Sequence, residues 1–66
     1  MSQELEILME LKRGNEITPL DALKHFGCFR LSARIENLRK QGFPIATRIK
    51  ELDNGKRVAS YYMVGV

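Results

Sequence analysis

The order of the elements turns on Thr18-Pro19-Leu20-Asp21-Ala22-Leu23-Lys24-His25-Phe26-Gly27-Cys28-Phe29-Arg30-Leu31-Ser32-Ala33-Arg34-Ile35. It begins with a hydroxyl able to cap a helix, a proline suited to the first helical position, and an acid at the third position that can return a bond to the cap. A helix must start at Thr18. The spacing predicts that it runs to about Phe26, burying Leu20, Leu23 and Phe26 while Asp21, Lys24 and His25 face outward, and that Gly27 stops it. After Gly27-Cys28-Phe29, Leu31, Ile35 and Leu38 recur at i, i+4 and i+7, so a further helix is expected over roughly Arg30 to Gln41, with Gly42 as its stop.

Upstream, Gln3 to Arg13 contains strong helix formers and no Gly or Pro. Gln3, Glu6, Glu10 and Arg13 make one polar stripe, opposite an apolar arc of Leu5, Leu8, Met9 and Leu11 with Ile7 at its edge. Asn15-Glu16-Ile17 is too short for a helix and suits a short strand. Downstream, Pro44 ends helical structure. Ile45 to Leu52 and Lys56 to Val64 then read as two strands around the turn Asp53-Asn54-Gly55. A two-residue Asn54-Gly55 turn would pair Ile49 with Ser60, whereas a three-residue loop with a Gly bulge would pair Ile49 with Ala59. The second register is preferred, because it aligns Ile45, Thr47 and Ile49 with Met63, Tyr61 and Ala59 on one face.

At 66 residues the chain has room for one core, so a single domain over residues 1–66 is expected. With 44% hydrophobic and 29% charged residues, its composition is globular rather than disordered. The early acids Glu4 and Glu6 and the lack of an apolar run argue against a secretory signal or a membrane span, so no membrane partner and a cytoplasmic location are expected. A lone Cys28 precludes an internal disulfide, and neither it nor the lone His25 has companions at metal-ligand spacing. No carboxylate pair, nucleophile motif or Gly-rich phosphate loop is present, and neither enzymatic activity nor a cofactor is expected. Cys28 reads as a buried spectator thiol. Phe26, Phe29 and Phe43 read as core, with at least one of Tyr61 and Tyr62.

Charge is divided unevenly. Residues 1–26 carry Lys12, Arg13 and Lys24 against Glu4, Glu6, Glu10, Glu16 and Asp21. Residues 27–66 carry Arg30, Arg34, Arg39, Lys40, Arg48, Lys50, Lys56 and Arg57 against Glu36, Glu51 and Asp53. A polyanion-binding surface in the second half would produce this asymmetry, as would an ordinary solvated face.

The order helix, short strand, helix, helix, strand, strand places two short-linked helices before a hairpin, an α+β arrangement containing a helix-turn-helix. Together with Ile17-Thr18-Pro19-Leu20-Asp21-Ala22-Leu23, Phe26-Gly27-Cys28-Phe29-Arg30-Leu31-Ser32-Ala33-Arg34-Ile35, Leu38-Arg39-Lys40-Gln41-Gly42 and Asn54-Gly55-Lys56-Arg57, it resembles the small winged helix-turn-helix proteins of phages and prophages over nearly the full chain. One departure from the tight helix-turn-helix is a turn longer by one residue when Ala22 and Ile35 occupy the usual buried positions.

The resemblance implies a double-stranded DNA-binding module with its third helix in the major groove and its hairpin as a wing. It suggests a phage or prophage regulator of transcription or a recombination accessory factor. If Leu31, Ile35 and Leu38 face inward, Ala33, Asn37 and Lys40 lie on the far side, flanked by Arg30, Arg34, Glu36 and Gln41. Arg34 can donate two bonds to guanine and Asn37 can pair with adenine. Ala33 permits close approach or a thymine-methyl contact, and Arg30 suits a phosphate. In the wing, Lys50, Lys56 and Arg57 suit phosphates or the minor groove, and Asn54 a polar contact; lysines here also protect strand edges. The N-terminus of the helix at Thr18 could add a phosphate contact.

A single module reads few base pairs, so a homodimer or a cooperative oligomer on DNA is expected. The rival reading is a protein-interaction module that modulates a host protein through exposed apolar residues such as Ile7, Met9 or Val66.

Overall fold

The computed structural model describes residues 3–65. Helix α1 spans Gln3–Lys12, α2 Pro19–Phe26 and α3 Leu31–Lys40. Strands β1, Ile45–Glu51, and β2, Arg57–Met63, form an antiparallel hairpin. The short strand anticipated at residues 15–17 is reduced to one bridge, in which the Ile17 N–H donates to the Tyr61 carbonyl at 2.9 Å and the Tyr61 N–H returns a bond at 2.8 Å. That bridge anchors the α1–α2 link to the outer side of β2.

The start of α2 follows from its sequence. Thr18 adopts an extended conformation and its hydroxyl accepts from the Asp21 N–H at 3.2 Å, while the Asp21 carboxylate accepts from the Thr18 N–H at 3.1 Å. At the other end Gly27 takes a φ of +63°, which a residue with a side chain adopts only with strain. The chain then turns so that the Gly27 N–H reaches the Leu23 carbonyl and the Cys28 N–H reaches that of Ala22. This turn carries Cys28 inward, as anticipated, and leaves the next residue, Phe29, 86% exposed, contrary to the core position expected for it.

The core comprises Ile7, Leu8 and Leu11 of α1, Ile17, Ala22 of α2, Cys28, Leu31, Ile35 and Leu38 of α3, and Ile45 and Met63 of the hairpin. Phe26, Phe43 and Tyr61 pack against it from its margin. The apolar face of α3 is as expected, although Arg30 and Gln41 are its caps rather than helical residues. Two faces were rotated from expectation. On α1, Ile7 is fully buried rather than marginal, and Leu5 and Met9 are exposed. Met9 lies two residues from both Ile7 and Leu11, which at 100° per residue sets it on the far side. On α2, burying Ala22 sends Leu20 outward by the same geometry, and Leu23 is exposed as well.

The hairpin adopts the register that pairs Ile49 with Ala59. Its tip is a three-residue loop: the Leu52 N–H donates to the Lys56 carbonyl at 2.7 Å and the Gly55 N–H to that of Leu52 at 2.9 Å, with Gly55 at φ +83°. Ile45, Tyr61 and Met63 share the inward face, but that face outruns the helices. Ile49, nearer the tip, is therefore exposed despite its alternation with the core residues.

Candidate nucleic-acid interface

Helix α3 buries Leu31, Ile35 and Leu38, which aims its remaining faces away from the core. Arg30, Asn37 and Lys40 are exposed, and Ala33 and Arg34 are half-buried. The Arg34 Nε is shielded from solvent and has no hydrogen-bond partner, so the guanidinium lies against the protein surface without an acid to hold it. Gln41 is exposed, but its amide donates to the Glu4 carboxylate at 3.0 Å, tying the end of α3 to α1.

In the hairpin, Lys56 and Arg57 are exposed at the tip. The Asn54 side-chain oxygen accepts from the Lys56 N–H at 3.0 Å and so helps shape the turn. Lys50 pairs with Glu16 at 3.4 Å. Glu16 also takes Arg48 at 3.1 Å and a bond from the Ser60 hydroxyl at 2.8 Å. The Ser60 hydroxyl, with the Lys50 and Arg48 cations, holds the Glu16 carboxyl below the usual carboxylate range, against a smaller opposing effect of desolvation. Arg48 further lies over the Tyr62 ring at 4.8 Å. Glu16 thus fastens the root of α2 to the wing.

Sequence reasoning overlooked two positioning residues, Glu16 and Arg39. The Arg39 Nε donates to the Ile45 carbonyl and a terminal nitrogen to the Thr47 hydroxyl, both at 2.9 Å, and the guanidinium stands 5.9 Å from the centre of the Tyr61 ring. These contacts fix the orientation of β1 relative to α3. The available signal was Arg39 four residues after Ile35, on the inner flank of the helix just before the strand.

The cations differ in their partners: Arg39 is held by Ile45, Thr47 and the Tyr61 ring, Lys12 stands over the Phe43 ring at 5.6 Å, and Lys24 of α2 takes part in no ion pair among the described residues. Arg13, Arg48 and Lys50 are matched by acids. Among the described residues, Arg30, Arg34 and Lys40 on α3 and Lys56 and Arg57 on the wing take part in no ion pair. Glu36 is the one acid on α3. Among the described residues no group of three or more His, Cys, Asp or Glu is placed to hold a metal ion, and no helix is long and apolar enough to cross a membrane.

Two helices meeting at a short turn, a third behind them and a hairpin beside the second helix of the pair define a helix-turn-helix with a wing. The chain belongs to the winged helix-turn-helix domain family, whose model matches residues 2–66. No curated protein and no solved structure matches it. The family's fold is characteristically a DNA-binding one and typically non-enzymatic.

Proposed function

We propose that this chain binds double-stranded DNA with α3 in the major groove and the wing on adjacent phosphates or in the minor groove. The observation that carries the reading is the set of uncommitted cations. Pairing a surface cation with an acid stabilises little, and these five cations on α3 and the wing make no ion pair among the described residues, which leaves them open to meet phosphates or base edges. Arg34, Asn37 and Ala33 are the base-reading residues, while Arg30, Lys40, Lys56 and Arg57 contact phosphates. Gln41, Lys50 and Asn54 are secondary members, because each would exchange an internal bond for one to DNA. The likeness of the helix pair and wing to phage and prophage proteins supports a role as a regulator of transcription or a recombination accessory factor in the bacterial cytoplasm.

The experiment is fluorescence anisotropy on a randomised duplex pool across a salt series. Each phosphate neutralised contributes a slope of about −0.9 in log K against log salt, so four to five contacts give roughly −4. Arg34→Ala is expected to weaken binding on some sequences more than others. Absence of binding at low salt would overturn the proposal. A second reading, a module that docks on a host protein, draws support from exposed apolar side chains on α2 and in the turn, and predicts association that salt barely weakens. Of the residues first considered for such a surface, Ile7 is buried, Met9 is exposed and Val66 lies outside the described residues.

A further inference from the structure

One carboxylate ties three side chains of the wing. Glu16, on the link before α2, accepts from the Ser60 hydroxyl at 2.8 Å and pairs with Arg48 at 3.1 Å and Lys50 at 3.4 Å. Its partners depend on it unequally. Ser60 is fully buried, and Arg48 also lies over the Tyr62 ring at 4.8 Å, so packing holds both. Lys50 has no second acid among the described residues, although Glu51 and Asp53 are near it in sequence.

Lys50 also stands where a ligand can reach it. Its side chain is 45% exposed and borders the open groove between the wing and Thr18, Pro19 and Leu20 at the start of α2. Its strand neighbour Glu51 pairs across the hairpin with Arg57, so Lys50 belongs to the arm that carries Lys56 and Arg57, which make no ion pair among the described residues. A lysine ammonium is a compact charge on a flexible stem and donates to a carboxylate or a phosphate oxygen alike. An exposed pair stabilises little and is screened by salt, so a phosphate can displace the carboxylate.

We propose that Glu16 is an internal competitor of DNA for Lys50, and that it restrains the grip of the wing on the phosphate backbone. The proposal rests on the DNA-binding reading and adds that the chain itself holds down the affinity of its wing. Lys50 reaches a phosphate only by giving up Glu16. Arg48, stacked on Tyr62, stays where it is.

The test is fluorescence anisotropy on the duplex pool, with substitutions made singly and together. Glu16→Gln keeps an acceptor for the Ser60 hydroxyl and removes the charge. It is expected to bind roughly two- to fivefold more tightly than wild type, because the pair no longer has to be broken. The gain is alike across sequences, since a phosphate is met and not a base. Adding Lys50→Gln abolishes it, and Lys50→Gln costs less in wild type than in the Glu16→Gln background. Glu51→Gln removes an equal charge from the same strand without releasing Lys50, so it sets the general electrostatic gain that Glu16→Gln must exceed.

Circular dichroism checks that each variant is folded. Should Glu16→Gln not fold, the salt slopes of two other variants decide: Lys56→Gln is expected to flatten the slope by about 0.9 and Lys50→Gln by less than half as much. Equal flattening by the two, a Glu16→Gln gain no larger than that of Glu51→Gln, or a gain that survives Lys50→Gln would each overturn the proposal while wild type still binds, leaving the DNA-binding reading intact. A wild type that binds no duplex at low salt would overturn both.

Discussion

Replacing Arg39 by alanine tests whether the wing is fixed on α3 by the contacts seen. The substitution removes the bond to the Ile45 carbonyl, the bond to the Thr47 hydroxyl and the contact with the Tyr61 ring. A charged donor in a buried bond contributes about 1.5–3 kcal/mol. Arg39 is exposed, and solvent reduces such contacts to roughly 1 kcal/mol for the better-shielded Ile45 bond and about half that for the Thr47 bond. The ring contact adds about 0.5 kcal/mol, for a total near 2 kcal/mol. In a domain of this size each kcal/mol lowers Tm by about 4–8 °C, so a drop of roughly 8–16 °C is expected by circular dichroism. Arg39→Lys keeps the charge but cannot make both bonds in the same plane, and should recover less than half of the loss. A melting temperature within about 1 °C of wild type for the alanine variant, or full rescue by lysine, would refute the reasoning.

Other substitutions probe the remaining joints. Thr18→Ala removes the α2 cap and should cost about 1 kcal/mol in urea unfolding, whereas Thr18→Ser should restore most of it. Gly55→Ala forces a side chain into the left-handed turn at φ +83° and should cost about 1–2 kcal/mol, measured in the same way. Glu16 has a folded pKa below its usual 4.5, so the stability it contributes is present above that value and is lost as pH falls through the folded pKa. Acid unfolding followed by circular dichroism should therefore show Glu16→Gln losing less stability than wild type below pH 4.5; an equal loss would remove Glu16 from the account.

What could be read from the sequence was local chemistry. The α2 cap, the Gly27 stop, the apolar face of α3 and the Ile49–Ala59 register each follow from residues a few positions apart, and all appear in the structure. What could not be read was which way a short helix rolls. In α2 the apolar residues share one broad arc, with Ala22 and Phe26 at one edge and Leu20 and Leu23 at the other, and the core meets only the edge of the small Ala22, leaving Leu20 and Leu23 exposed. Phe29 was misread for a related reason, since the conformation of Gly27 decides which of the next two residues turns inward. The candidate site was legible in its charges but not in their partners. Nothing local in sequence distinguishes Lys50, held by Glu16 from 34 positions away, from Lys56, which no acid holds. Arg39 and Arg30 look alike in sequence, yet one anchors the wing and the other is open to a ligand.

The central claim is that DNA is met by α3 and the wing tip. Its most direct test is titration of the isotopically labelled protein with a duplex at moderate salt, following backbone amide resonances. The account predicts that shifts concentrate at Arg30 to Gln41 and at Lys50 to Arg57, and that the amides of α1 stay in place. Shifts confined to α1, or none at low salt, would contradict it.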